Sequence, residues 1–158
     1  AWAESEFAMG GEEPIFPRNA SYRRVLVSVP AMSPMTEDAV ITSDYGERTH
    51  PISGAWDFHS GIDLAAAAGT CIYPIYAGEV TATGWSQSYG NYIKLRHSSN
   101  LETIYCHCET ILCVEGEKVT VNDVIAQVGS TGVSTGPHLH LSVLADGYYV
   151  DPMNLYSP

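Results

Sequence analysis

The sequence predicts an all-β fold, an antiparallel sheet or sandwich-like domain preceded by an irregular N-terminal segment. Three observations carry this expectation. From Val40 onward, runs of Val, Ile, Thr and Tyr alternate with Gly, Asn, Asp and Ser at short spacing, which is the texture of short strands joined by tight turns. No segment has a helical period, and "LAAAAG" (64–69) is too short to count as one. Residues 1–38 differ from the rest: "AWAESEFAMGGEEPIFP" is acidic, broken by Gly and Pro, and without period. Many short strands with glycine turns suggest a sandwich or a partly open barrel.

In chain order, residues 1–38 are expected to form an arm or linker that leans on a domain spanning 39–158. Within the arm, "YRRVLVSVP" (22–30) can form one short strand, ended by Pro30 and Pro34. The candidate strands of the domain are "AVITSD" (39–44), "SGIDLAA" (60–66), "TCIYPI" (70–75), "GEVTATGW" (78–85), "NYIKLRH" (91–97), "ETIYCHC" (102–108), "KVTV" (118–121), "DVIAQV" (123–128) and "HLHLSVL" (138–144).

A chain of 158 residues is long enough for one domain with a substantial core and a short appendage. With 18 acidic residues against 7 Lys and Arg, the formal net charge is −11. No basic stripe is present to neutralise phosphates, so nucleic acid is not an expected partner, and docking to an anionic membrane is disfavoured for the same reason. No run of 18 apolar residues predicts a transmembrane helix, and the opening residues do not resemble a signal peptide. Cys106 and Cys108 are too close along a strand, with parallel side chains, for a direct bridge. The four cysteines are expected to be mostly small buried hydrophobes.

The chemistry lies in the histidines. In "GPHLHL" (136–141), alternation puts His138 and His140 on one face while Leu139 and Leu141 fill the core. In "HSGID", a straight strand would hold His59 and Asp63 roughly 13 Å apart, too far for one ion. A bend at Ser60–Gly61 would bring them together. In "IYCHC", alternation puts Tyr105 and His107 on one face and Ile104, Cys106 and Cys108 on the other. Two histidines, a carboxylate and an open position make a familiar catalytic zinc set. His59, Asp63 and one of the pair His138/His140 would complete it.

The segments "ITSDYGERTHPISG", "FHSGIDLAAAAGTCIYPIYAGEVTATG", "SYGNYIKLRH", "TIYCHCETILCVEGEKVTVNDVIAQVGSTGVSTGPHLHLSV" and "VDPMNLY" together resemble the lysostaphin and LytM-type zinc endopeptidases of the M23 peptidase family. The likeness runs in order from about Val40 to the C-terminus. The resemblance implies a groove holding one Zn2+ per chain, with His59, Asp63 and His140 as ligands. It places His138 beside the metal water and His107 as its companion, one of them the general base, and no HExxH glutamate is present for that role. It implies peptidoglycan peptides as substrate and an extracytoplasmic location, secreted or at the surface of a bacterium. His50, Asn91 and Tyr92 are candidate substrate contacts, although Gly90-Asn91 also suits a turn, and His97 is a strand-end residue. Cys108 and "NDV" (122–124) depart from the family's usual aliphatic residue and glycine turn. A zinc-retaining but non-catalytic scaffold or regulator in cell division or sporulation is the alternative. A further reading is latency, with Asn19 of the arm as a donor to the metal.

Overall fold

The structure, a computed structural model, describes residues 19–36, 39–49, 52–54 and 56–156. Its elements in chain order are β1 (Val40–Ser43), β2 (Gly46–Thr49), β3 (Trp56–His59), β4 (Ile62–Ala65), β5 (Cys71–Ile72), β6 (Gly78–Ser86), β7 (Gly90–Ser98), β8 (Leu101–Ile111), β9 (Lys118–Val119), β10 (Ala126–Val128), β11 (His138–Ala145) and β12 (Tyr148–Val150), followed by a 3-10 helix, Pro152–Tyr156. Ten strands form one sheet in the order β1-β4-β11-β8-β7-β6-β9, with β12 on β11 and with β10 joining β5 to β8. The strand pairs are all antiparallel. β2 and β3 form a separate two-stranded sheet. The all-β expectation therefore holds.

Strand β11 sits at the centre and is buried on both faces. Leu139, Leu141 and Val143 point into the larger core with Ile62, Ile93 and Leu95. Burying side chains of this size stabilises the fold by about 1.5–3 kcal/mol each. On the other face Leu144 packs with Ile104, Cys106, Tyr89 and Tyr149, and this is the face that carries His140. All four cysteines are free, and Cys106, Cys108 and Cys113 are buried.

The arm differs from its expected form. Residues 22–30 make no strand. Val25 and Val27 are partly buried against the core while Leu26 is 78% exposed, so the segment packs on the core without pairing as a strand. It is held at separate points, by Ser21 N–H donating to Tyr149 O at 2.8 Å, Ala31 N–H to Leu155 O at 2.8 Å and Met32 N–H to Ile75 O at 3.0 Å. Met35, at the end of this run, is 3% exposed and belongs to the main core.

Two features of the chain were not expected as strands. The β2–β3 hairpin carries "GERT", which lacks an apolar alternation, and "WDFH", which alternates over only four residues, and β12 ("YYV") is only three residues long.

Candidate metal centre and active site

The chain leaves the small sheet at His59, bends at Ser60–Gly61, and enters the large sheet at Ile62. That crossing folds His59 back onto Asp63, as the bend expectation required. Gly61 is needed there: a Cβ would overlap the Leu141 carbonyl oxygen and stand 2.8 Å from both His140 Nε2 and Ser142 Oγ. Across the sheet, His140 is paired directly with Asp63 and His138 with Ala65.

The result is a compact donor set. Asp63 Oδ1 lies 2.9 Å from His140 Nδ1 and 3.1 Å from His59 Nε2, and those two nitrogens are 3.1 Å apart. His59, Asp63 and His140 thus offer three ligand atoms within 4.8 Å of one another. His59 and His140 are fully buried.

The outer edges of both rings are hydrogen-bonded. His59 Nδ1–H donates to the Asp44 carbonyl at 2.9 Å, which leaves Nε2 facing Asp63, and His140 Nε2 bonds Ser142 Oγ at 2.8 Å, a hydroxyl that serves either tautomer of the ring. With Nε2–H of His140 turned to Ser142, the three inner atoms are all acceptors, and a cation is what such a set fits.

Two more imidazoles border the cluster. His138 Nδ1–H donates to Gly136 O at 2.8 Å, and His107 Nδ1–H donates to Thr131 O at 2.6 Å. Both therefore keep Nε2 free, and His138 Nε2 stands 3.8 Å from Asp63 Oδ1. The rings of His107 and His138 have centroids 4.7 Å apart, and those of His107 and His140 lie 6.1 Å apart.

His107 reaches this position through a departure from strand alternation. Its φ is +64°, and β8 carries one extra residue where Asn91 pairs with Cys108 and Ile93 with Tyr105. The bulge reverses parity. Tyr105 and Cys108 point into the main core while Ile104 and Cys106 lie on the metal side. The expectations that Tyr105 shares the His107 face, and that Cys106 and Cys108 share the other, are both corrected. The bulge is clamped at Cys108 O, which accepts from Asn91 Nδ2 at 3.1 Å and Thr131 Oγ1 at 2.8 Å. His107 N–H also donates to Tyr89 O at 2.7 Å.

Burial sets the charge states. Burial by itself would raise the Asp63 carboxyl, but the facing His140 and His59 rings, by hydrogen bond and charge when an inner nitrogen carries a proton, outweigh it and hold the group well below the usual carboxylate range. Burial pushes His140 down to about 3 against the opposing pull of Asp63. Burial, reinforced by the charge of His138, pushes His107 down to about 4.

The remaining sequence candidates fall as follows. His50 lies outside the described residues. Asn91 spends its side-chain amide on the bulge. Tyr92 packs against the cluster of Tyr89, Ile104 and Cys106. His97 is at the far end of β7, bonded to Ala77 O and Thr103 Oγ1. Asn19 does not reach the metal centre: its carbonyl accepts from Tyr149 N–H, and Nδ2 donates to Gly147 O at 3.4 Å. Gly147 follows the end of β11 opposite His138, so the latency reading based on Asn19 is withdrawn. Residues missed from sequence are Asp44, Arg48, Thr131 and Ser142. Only Ser142 left a signal, since it stands two residues beyond His140 and so shares its face.

An antiparallel sheet with a His–Asp–His cation site and two adjacent imidazoles with free nitrogens defines the class of β-sheet metallopeptidases. The model of peptidase family M23 matches residues 57–152, and the chain belongs to that family. Over 118 residues it is 42% identical to the DD-carboxypeptidase/endopeptidase Mpg of Neisseria meningitidis serogroup B, covering 75% of this chain and 27% of that protein. The crystal structure of a zinc-containing peptidase from Vibrio cholerae superposes with a TM-score of 0.73 at 32% identity, over 85% of this chain and 44% of that one. The catalytic domain of lysostaphin from Staphylococcus simulans gives 0.69 at 28% identity, over 76% and 93%. The chain spans about a quarter of the length of the curated relatives it matches. Among the described residues, no helix is long and apolar enough to cross a membrane.

Proposed function

We propose that this chain is a zinc-dependent endopeptidase that hydrolyses peptide bonds of bacterial peptidoglycan, acting outside the cytoplasm. The observation that carries the proposal is the inward convergence of His59 Nε2, Asp63 Oδ1 and His140 Nδ1, each outer ring nitrogen held by its own hydrogen bond. Two histidines and a carboxylate are a catalytic zinc set. Likeness to a zinc-containing peptidase and to a DD-carboxypeptidase/endopeptidase supports the metal and the substrate class. Residues 39–158 form the proposed catalytic unit, with 19–36 strapped across it.

Zinc at such a site supplies Lewis acidity, acidifying water and polarising a carbonyl. His59, Asp63 and His140 hold it, while Asp44 and Ser142 keep the rings oriented. His138 and His107 each present a bare Nε2 that accepts a proton from attacking water and returns it to the leaving amine. The two rings lie 4.7 Å apart, and burial together with the charge of His138 lowers His107. Tyr92 and His50 are the proposed substrate contacts, whereas Asn91 acts by clamping the bulge that carries His107.

The scaffold alternative draws no support from a site whose ligand and proton-transfer positions are all competent. The test is to incubate zinc-loaded protein with purified peptidoglycan and follow newly released amino groups. We expect release that a His138→Ala variant lacks. Full zinc occupancy without release would overturn the proposal.

A further inference from the structure

Beside the metal cluster opens a cavity of about 440 Å³, with Thr42, Ser43, Arg48 and Thr49 on one side and Thr135 and His138 on another. Its polar lining is hydroxyls, the Arg48 guanidinium, the His138 imidazole and the Asp63 carboxylate. Arg48 is an unusual residue to find there in a chain of net charge −11. Its side chain is only 15% exposed, and its anchoring leaves one of its three nitrogens unspent. Nε donates to Oδ1 of the fully buried Asp57 at 3.3 Å, and Nη1 donates to Ser43 Oγ at 2.7 Å and lies 3.6 Å from Asp63 Oδ2. Nη2 has no partner among the described residues.

The position is as informative as the charge. Asp63 turns Oδ1 to the metal-facing nitrogens and Oδ2 to Arg48. Nη1 of the guanidinium therefore stands 3.6 Å from the carboxylate oxygen beside the metal-facing one. Successive residues of a peptide are about 3.8 Å apart at Cα. A peptide whose scissile carbonyl lies at the metal can thus bring a carboxylate one residue further on to Nη2. Asp57 and Asp63 offset more than the charge of Arg48 alone. With a divalent cation in place the locality becomes net positive, so an incoming anion is favoured only in the loaded protein.

We propose that Arg48 and the hydroxyl-lined cavity form a receptor for a free peptide carboxylate one residue beyond the scissile bond, so that the site favours substrates ending at that residue. This rests on the peptidoglycan-peptidase reading and extends it from bonds within a chain to the bond before a terminal residue. The Nη2 hydrogens give a carboxylate charge-assisted hydrogen bonds, stronger than those to a neutral carboxamide.

The test is equilibrium binding, so it stands apart from turnover. N-acetyl-D-alanine and its C-terminal amide are titrated by NMR into zinc-loaded protein, with zinc content measured in every sample. We expect the acid to bind at least about tenfold more tightly than the amide, a difference of about 1.4 kcal/mol, and the Arg48 side-chain nitrogen resonances to move with the acid alone. In Arg48→Lys, which keeps the charge opposite Asp57, the preference should fall below about threefold. Arg48→Gln/Asp57→Asn removes the buried pair together and leaves no uncompensated carboxylate, and its preference should fall likewise. No preference in the native protein, or an unmoved Arg48 resonance, overturns the proposal whether or not the variants fold. So does full preference in a loaded variant. If the acid binds through Arg48 but no peptidoglycan is cleaved, the endopeptidase reading fails and the receptor stands.

Discussion

His59 Nε2 and His140 Nδ1 face each other at 3.1 Å, both beside Asp63 Oδ1. His59 Nδ1–H donates to the Asp44 carbonyl, so that ring cannot turn its proton inward without losing a buried hydrogen bond, while the Ser142 hydroxyl can bond His140 Nε2 in either tautomer. A cation replaces whatever proton the three inner atoms share and satisfies all of them at once. Zinc should therefore raise the melting temperature, because a ligand that binds only the folded state stabilises it by about 2.7 kcal/mol at a hundredfold excess over Kd. His140→Ala should abolish the rise. A native protein whose melting temperature ignores zinc would show that the three donors are not a metal site.

Gly61 should be the least replaceable glycine near the centre. A methyl group there would overlap backbone at Leu141 O and press on His140 Nε2 and Ser142 Oγ, and backbone cannot move aside as a side-chain tip can. Gly61→Ala should cost at least the 1–3 kcal/mol of an overpacked site, about the usual range. It should also weaken zinc binding, by displacing the ring that Ser142 orients. Urea denaturation and a chelator competition check the two effects. Unchanged zinc affinity in a folded Gly61→Ala protein would separate His140 from its Ser142 support.

His107 tests backbone and chemistry separately. It is one of two described non-glycine residues with positive φ, at +64°. Asn tolerates that region better than most residues, whereas a β-branched side chain does not. His107→Asn should keep the fold and lose activity by about 10²–10⁴, the usual worth of a proton-transfer group. His107→Val should lose the same activity and also about 1–2 kcal/mol of stability, the left-handed penalty. Equal stability of the two variants would show that the bulge relaxes on substitution.

These residues also show how far sequence could reach. Strand parity put Leu139 and Leu141 in the core with His138 and His140 together, because β11 is regular and flanked on both sides. The same rule misplaced Tyr105, Cys106 and Cys108, because one inserted residue reverses faces and no local composition marks it. His59 and Asp63 looked far apart along one strand. They meet because Gly61 lets the chain cross between two sheets, which spacing alone could allow but not require. Arg48 was invisible, since a single Arg in "GERT" acquires meaning only when Asp57, Ser43 and Asp63 converge on it. The arm makes only an isolated bridge, Ala20 to Tyr149, and its apolar run packs Val25 and Val27 on the core instead of pairing, which propensity alone does not foretell.

Acid sensitivity should have a component remote from the metal. His97 sits at the end of β7, with Nδ1–H donating to Ala77 O at 2.9 Å and Nε2 2.7 Å from Thr103 Oγ1. Burial lowers its pKa below the ordinary 6.5, outweighing the opposing hydrogen bond to Ala77 and the charge of Glu102. The folded state therefore binds fewer protons here than the unfolded chain. Stability from the neutral ring is fully present above about pH 6.5 and is lost as pH falls through the window between the unfolded value and the lowered folded one. His97→Gln keeps a donor for Ala77 and an acceptor for Thr103 but does not titrate. Measured on metal-free protein, where protonation of the zinc ligands is common to both chains, its stability should fall less steeply below pH 6.5 than that of the native protein. Parallel stability curves from pH 7 to 5 would mean that His97 titrates alike in both states and that its burial carries no pH dependence.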